Sequence, residues 1–185
     1  MRTFIAVNLP DSIRSEIARH LDKFRPLAEH ITWVPPGNAH ITVKFLGEVP
    51  NNDLRPVGDV VKNALIGHRR FVVQLGGFGA FPDFRRPRVF WVGITGGIDP
   101  LRALALAVED QLVPLGFERE GRKFSAHITL GRIKRPGDYD LLRRAAESTK
   151  YTSEPFTVSS VEVMKSVLSP QGAQYSAFES FSLEG

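Results

Sequence analysis

Two rhythms of apolar residues run through the chain: short alternating or continuous runs that mark strands, and spacings of three and four that mark helices. Residues 3–8 (Thr-Phe-Ile-Ala-Val-Asn) read as a first strand. Pro10-Asp11-Ser12 then opens a helix, with Asp11 or Ser12 expected as its N-cap. Ile13, Ile17, Leu21 and Phe24 form its buried stripe, and Pro26 ends it. A connection through Trp33-Val34-Pro35-Pro36-Gly37-Asn38 leads into a second strand, His40 to Gly47. Asn51-Asn52-Asp53 is expected to cap a second helix with the stripe Leu54, Val57, Val61 and Leu65, and Gly67 is its natural stop. Phe71–Leu75 reads as a third strand, and a Gly-, Phe- and Arg-rich stretch follows from Gly76 to Arg88.

The same order then returns. Arg88–Ile94 reads as a strand, and Leu101, Leu104, Val108 and Leu112 stripe a third helix closed by Pro114 and Gly116. A strand begins at His127, and Pro136-Gly137-Asp138 starts a fourth helix ending near Ser148. Phe156–Val167 and Gln174–Leu183 read as two last strands, joined by a turn at Ser169-Pro170-Gln171-Gly172.

The two central strands share a motif. Ala39-His40-Ile41-Thr42-Val43 is echoed by Ala126-His127-Ile128-Thr129-Leu130. Residues i and i+2 of a strand share a face, roughly 7 Å apart. Each segment therefore presents a His and a Thr on one side and hides its aliphatic residues on the other. The chain holds three His-Ile-Thr triplets, where chance order would give about 0.01. The third, His30-Ile31-Thr32, runs into Pro35-Pro36, which forbid a regular strand continuation. It is read as a loop or short lead-in, with its His solvent-exposed or packed.

His127 follows His40 by 87 residues. The same shift lays Phe4 on Trp91, Ile17 on Leu104, Leu21 on Val108 and Phe71 on Val158, but His30 on Phe117. The chain thus reads as a duplicated β-α-β-α-β unit, with halves of about 1–84 and 85–185 joined in one bilobal domain.

Composition narrows the chemistry. The 185 residues, 42% hydrophobic and 24% charged, describe a globular protein. No apolar run approaches the roughly 20 residues of a membrane helix, and no signal peptide is apparent at the start. Cytoplasmic residence is expected. With no Cys in the sequence, disulfides, thiolate zinc sites and Cys nucleophiles are excluded. A net charge of +4 and a pI of about 9.6 favour an anionic ligand such as RNA.

A lone strand His is usually a satisfied structural residue, but two in matched contexts reverse that reading. Facing one cleft, two imidazoles and two hydroxyls suit acid–base chemistry on a phosphate ester. Two His lack the remaining ligands of a zinc site, and no carboxylate lies two residues from either. No Gly-x-Ser-x-Gly turn supports a serine triad, and no Gly-rich phosphate loop offers a seat for ATP or NAD. No metal or cofactor is expected. Thr42 and Thr129 are read as donors to non-bridging phosphate oxygens, against the plain alternative that Thr is a good strand former.

The segments Trp33-Val34-Pro35-Pro36-x-Asn38-x-His40-Ile41-Thr42-Val43-Lys44-Phe45-Leu46-Gly47 and Phe124-Ser125-Ala126-His127-Ile128-Thr129-Leu130-Gly131-Arg132 resemble the 2H phosphoesterase superfamily. Within it the likeness is to the LigT-like RNA 2′,3′-cyclic phosphodiesterases, historically called 2′-5′ RNA ligases. The likeness takes in the Val89–Gly93 strand, Ser166-x-Leu168 and Tyr175. It implies a bilobal α+β fold with antiparallel sheets around a central cleft, and metal-free catalysis. It also implies that His40 is the proton donor, His127 the proton acceptor, and Thr42 and Thr129 phosphate contacts. It suggests Arg132 as a substrate-binding cation, although strand parity puts Arg132 on the face opposite His127.

Phe45 is read either as a platform for a base or as a core residue opposite His40. Lys44 shares the His40 face by parity and adds positive potential there, or is a solvated strand end. The stretch Phe78–Arg88 is either a loop guiding an RNA end or a hydrophobic lobe junction with solvated arginines. The expected substrates are RNA or nucleotides ending in a 2′,3′-cyclic phosphate, opened to 2′-phosphates, with 2′-5′ ligation as the reverse step. No membrane and no obligate protein partner is expected. The alternative is a non-catalytic RNA-end or nucleotide binder on the same scaffold.

Overall fold

A computed structural model describes all 185 residues. Nine strands and four helices follow in the order β1 (Arg2–Asn8), α1 (Asp11–Phe24), β2 (Ile31–Trp33), β3 (His40–Glu48), α2 (Leu54–Ala64), β4 (Phe71–Phe81), β5 (Val89–Gly96), α3 (Ile98–Leu112), β6 (His127–Ile133), α4 (Asp140–Ser148), β7 (Phe156–Val158), β8 (Ser160–Ser169) and β9 (Gly172–Ser182). They form two antiparallel sheets, ordered β3-β1-β8-β9 and β2-β6-β5-β4-β7. The fold is α+β and built from two copies of one unit.

The copies are entangled. The third strand of the first half, β4, pairs with β5 of the second. The third strand of the second half, β8, pairs with β1 of the first. The helices cross over as well. Phe24 of α1 packs edge-on against Phe90 of β5 and Phe78 of β4, at 5.1 and 4.8 Å between ring centroids. Glu109 of α3 reaches Lys44 of β3. The predicted stripes are the buried faces of α1, α2 and α3, and the buried apolar residues of both halves merge into one continuous core.

Several boundaries depart from expectation, each for a local reason. Pro10, not Asp11 or Ser12, stands at the N-cap of α1, and Asp11 opens the first turn, where its negative charge is favoured by the positive end of the helix dipole. Asn51–Asp53 forms a tight turn ahead of α2 and supplies no side-chain cap. The carboxylate of Asp138 accepts the backbone N–H of Asp140, so α4 begins two residues later than its turn residues suggest. β4 runs on to Phe81, because Gly76 and Gly77 form a bulge and Gly77 takes a positive φ of 71°. The apolar run from Phe156 breaks at Ser159, where the chain leaves the second sheet as β7 and joins the first as β8.

The repeat is also less uniform than a single shift of 87. Ala6 pairs with Thr42 as Trp91 pairs with Thr129, so the first strands are offset by 85 and Phe4 matches Val89, not Trp91. Phe71 and Val158 are hydrogen-bonding neighbours across β4 and β7 rather than equivalent positions. No helix is long and apolar enough to cross a membrane.

Candidate active site

β3 and β6 run alongside each other where the two sheets meet, and each begins with its His. Both imidazoles are oriented by the same device. His40 Nδ1 donates to the carbonyl of Asn38 at 2.7 Å, and His127 Nδ1 donates to the carbonyl of Ser125 at 2.7 Å. Each acceptor lies two residues before its His. A bond from Nδ1–H to a carbonyl fixes the tautomer of the neutral ring and leaves Nε2 as the unprotonated nitrogen. His40 Nε2 lies 3.0 Å from Thr42 Oγ1. The hydroxyl donates to it when the ring is neutral and accepts from it when the ring is protonated. His127 makes no corresponding bond to Thr129, and this is the first asymmetry of the site.

Aromatic rings frame both imidazoles. His40 stacks on Phe4 at 4.7 Å and meets the edge of Tyr175 at 5.6 Å. His127 stands edge-on to Phe81 at 5.0 Å, and Phe81 in turn packs on Trp91 at 5.1 Å. The indole of Trp91 lies flat on Gly79, where any Cβ would come within 2.3 Å of it. Burial is the chief cause that pushes both imidazoles below their ordinary value. Their backbone carbonyl bonds act against it, and the positive charge of Arg132 adds to the lowering at both.

Arg132 acts on both because β6 carries a bulge. Phe90 pairs with Gly131 but Trp91 pairs with Thr129, so Leu130 is an extra residue and the alternation inverts beyond it. Arg132 emerges on the face of His127 and Thr129, against the parity count. β3 repeats the feature at Val43, since Ile5 pairs with Lys44 and Ala6 with Thr42. Beyond it Phe45 turns to the His40 face, 56% exposed and 6.2 Å from the Phe4 ring.

The bulge removes Lys44 from that face. Its side chain is 5% exposed and reaches the back of the sheet, where Nζ lies 2.8 Å from Glu109 Oε1, 2.8 Å from the Glu118 carbonyl and 3.4 Å from Glu120 Oε1. Burial works to raise the Glu109 carboxyl, but the bonds from Lys44 and the Glu120 N–H outweigh it and hold the group below the ordinary carboxylate range. Lys44 is a structural tie between the halves, not a cleft cation. The third triplet also stays apart. Ile31–Trp33 makes a short strand on β6, while His30 adopts a positive φ of 61° outside it.

The stretch Phe78–Arg88 divides its aromatics. Phe78 and Phe84 pack toward Phe90 in the core, whereas Phe81 alone reaches the imidazole of His127. No three His, Cys, Asp or Glu side chains gather in a set able to hold a metal ion.

With two His-Thr strands placed in matched halves, the comparison with known proteins is direct. The model of the LigT-like phosphoesterases matches the chain twice, over residues 7–91 and 92–175. The chain belongs to the LigT-like phosphoesterase family. It is 32% identical to the RNA 2′,3′-cyclic phosphodiesterase of Methanothermobacter thermautotrophicus, over 99% of each chain. The crystal structure of TT0787 of Thermus thermophilus superposes with a TM-score of 0.79 at 28% identity, covering 100% of this chain and 99% of that one. E. coli LigT complexed with 3′-AMP gives 0.77 at 25% identity, over 98% and 97% of the two chains.

On this LigT-like scaffold three aromatic side chains frame the histidines. Phe4 was legible in principle, since it shares strand parity with Asn8, the residue paired with His40. Tyr175 belonged to the family likeness and Phe81 to the Phe78–Arg88 stretch, but both arrive from distant strands, and their contacts with the imidazoles are visible only in the tertiary structure.

Proposed function

We propose that this chain is an RNA 2′,3′-cyclic phosphodiesterase that opens cyclic phosphate ends, on RNA or nucleosides, to 2′-phosphates in the cytoplasm. The observation that carries this reading is the matched pair of imidazoles, each held through Nδ1 by the carbonyl two residues before it, under the shared charge of Arg132. The names of full-length relatives support the substrate class.

Neutral His127 takes a proton from water at Nε2 as the water oxygen attacks phosphorus. The P–O3′ bond breaks, and protonated His40 gives its Nε2 proton to O3′. The product carries a 2′-phosphate and a free 3′-hydroxyl, and the proton pair is restored by exchange with solvent. Negative charge grows on the non-bridging oxygens, where Thr42, Thr129 and Arg132 stabilise it. Phe45 supplies a face on which the terminal base stacks. Each proton transfer runs in both directions, so a 5′-hydroxyl in place of water gives 2′-5′ ligation, and in water hydrolysis dominates.

The test is incubation with nucleoside 2′,3′-cyclic phosphates and cyclic-phosphate-ended RNA, with the product's regiochemistry read by NMR. Accumulation of 2′-phosphate is expected. Binding without turnover would leave the non-catalytic binder as the correct reading, and a 3′-phosphate product would reverse the cleavage direction.

A further inference from the structure

β9 lies at the far edge of its sheet from β3, with β1 and β8 between them. Two residues near the β8–β9 turn nevertheless reach the histidine of β3 and the turn before it. Tyr175 sets its ring edge-on to His40 and Phe4, at 5.6 and 5.0 Å. The carbonyl of Ala173 accepts a bond of 2.8 Å from Asn38 Nδ2. The end of the hairpin therefore arches over β1 on the histidine face. Phe4, Ala6 and Met164 form a small apolar cluster there, apart from the main core, and Tyr175 packs on it. Phe4 is only 4% exposed although it shares the face of His40.

Asn38 joins this arch to His40. It closes the short turn Pro36–Asn38 ahead of β3. Its carbonyl accepts from His40 Nδ1 at 2.7 Å while its side chain donates to Ala173, so the residue is held at both ends. An Nδ1–H bond orients the ring only as firmly as its acceptor is fixed. Here the acceptor is fixed by the same hairpin that brings Tyr175 to the ring, and Nε2 is left 3.0 Å from Thr42 Oγ1.

The second half provides a contrast. Its strands follow the order β6-β5-β4-β7, so β7 stands where β9 stands in the first sheet. β7 has three residues against eleven in β9, and no arch crosses to His127. Ser125, whose carbonyl holds His127, is exposed. Chemistry gives this difference a use. A base takes its proton from a water that can move to meet it, whereas an acid must reach an oxygen fixed in the ribose, and such a transfer is sensitive to placement. We infer that Asn38 is a positioning residue for the proton donor, its side chain pinning the β8–β9 hairpin across the sheet so that the imidazole of His40 is aimed at the leaving oxygen. This inference rests on the cyclic phosphodiesterase reading with His40 as the acid.

The experiment compares a nucleoside 2′,3′-cyclic phosphate with its analogue carrying sulfur in place of O3′, which departs as a thiolate without a proton. Asn38→Ala keeps the carbonyl and removes the tie. It is expected to lower kcat on the oxygen substrate by roughly 10²-fold, the size of a small misplacement, with KM little changed, and to spare the sulfur analogue. Asn38→Asp keeps the shape but turns an acceptor toward the Ala173 carbonyl, and it should behave as Asn38→Ala does. Because the two substrates are compared within each protein, a partial folding defect cancels. Equal losses on both substrates, or no loss on either, would overturn the positioning role while leaving the hydrolysis intact. No turnover of the oxygen substrate by the wild type would overturn the phosphodiesterase reading, and this inference with it.

Discussion

Phe45 and Arg132 occupy the same place in the two halves, each three residues beyond the threonine of its motif and each turned to the histidine face by a bulge at the residue after that threonine. One half offers an aromatic surface where the other offers a cation. Phe45→Ala is expected to raise KM about tenfold for nucleotide substrates, the size of a lost base stack, with kcat little changed. Arg132→Gln should lower kcat/KM by about 10²-fold through lost stabilisation of the phosphoryl oxygens. Steady-state kinetics on a nucleoside 2′,3′-cyclic phosphate separates the two, and a common effect on KM alone would remove Arg132 from the transition state.

The pH profile follows from the two imidazoles. The base works when neutral and the acid when protonated, so kcat/KM peaks between their pKa values. Both lie below the ordinary 6.5, and the optimum is expected on the acid side of that value. Arg132→Gln removes a charge that lowers both, so the optimum should move upward even as the rate falls. Stability has a definite sign as well. The folded state favours the neutral rings, so their contribution is complete above pH 6.5 and is lost as the pH falls through the folded values. Thermal melts across pH 5–8 would read it.

His40→Ala and His127→Ala should each cost roughly 10²–10⁴-fold in rate. His30→Ala should cost almost nothing, since His30 is 48% exposed and its nearest charged group is Glu29, at 3.9 Å. An equal loss from His30→Ala would place the chemistry elsewhere.

Sulfur in place of O3′ separates acid from base. A thiolate, with a thiol pKa near 8.5, departs without protonation, whereas an alkoxide does not. A 2′,3′-cyclic phosphorothiolate should therefore rescue His40→Ala and leave His127→Ala inactive. The opposite pattern would exchange the two roles.

Lys44→Met should act on stability and not on catalysis. It strands Glu109, 13% exposed, without its cation, at a cost of about 3 kcal/mol. A lowered Tm with unchanged KM at a temperature where the variant is folded is expected; a raised KM would return Lys44 to the substrate. Exhaustive chelation should leave the wild-type rate unaltered, and recovery of a lost rate by zinc or manganese would discard the two-histidine mechanism.

Much of this was legible because periodicity is local. The stripes Ile13-Ile17-Leu21-Phe24 and Leu101-Leu104-Val108-Leu112 declare their helices, and the twin His-Ile-Thr strands declare the duplication. Parity failed at Lys44 and Arg132 for one reason. A bulge adds a residue without a mark in composition, as Val43 and Leu130 look like ordinary strand residues. Pairing of β4 with β5 and of β8 with β1 joins segments by tertiary contact, and neither the exchange nor the offset of 85 in the first strand is carried by any short window.

The exchange of third strands has a consequence for how such a site arises. A single half, freed of its partner, would leave β1 without its outer neighbour and β4 without a sheet. A second copy would supply both by reciprocal donation, giving a homodimer with one catalytic centre on its twofold axis. In that dimer the two imidazoles would be identical by symmetry, and neither would be committed to giving or taking the proton. Joining the copies in one polypeptide breaks the degeneracy: Phe45 diverges from Arg132, Thr42 engages its ring while Thr129 does not, and a substrate with two unlike ends acquires a single direction in which to lie.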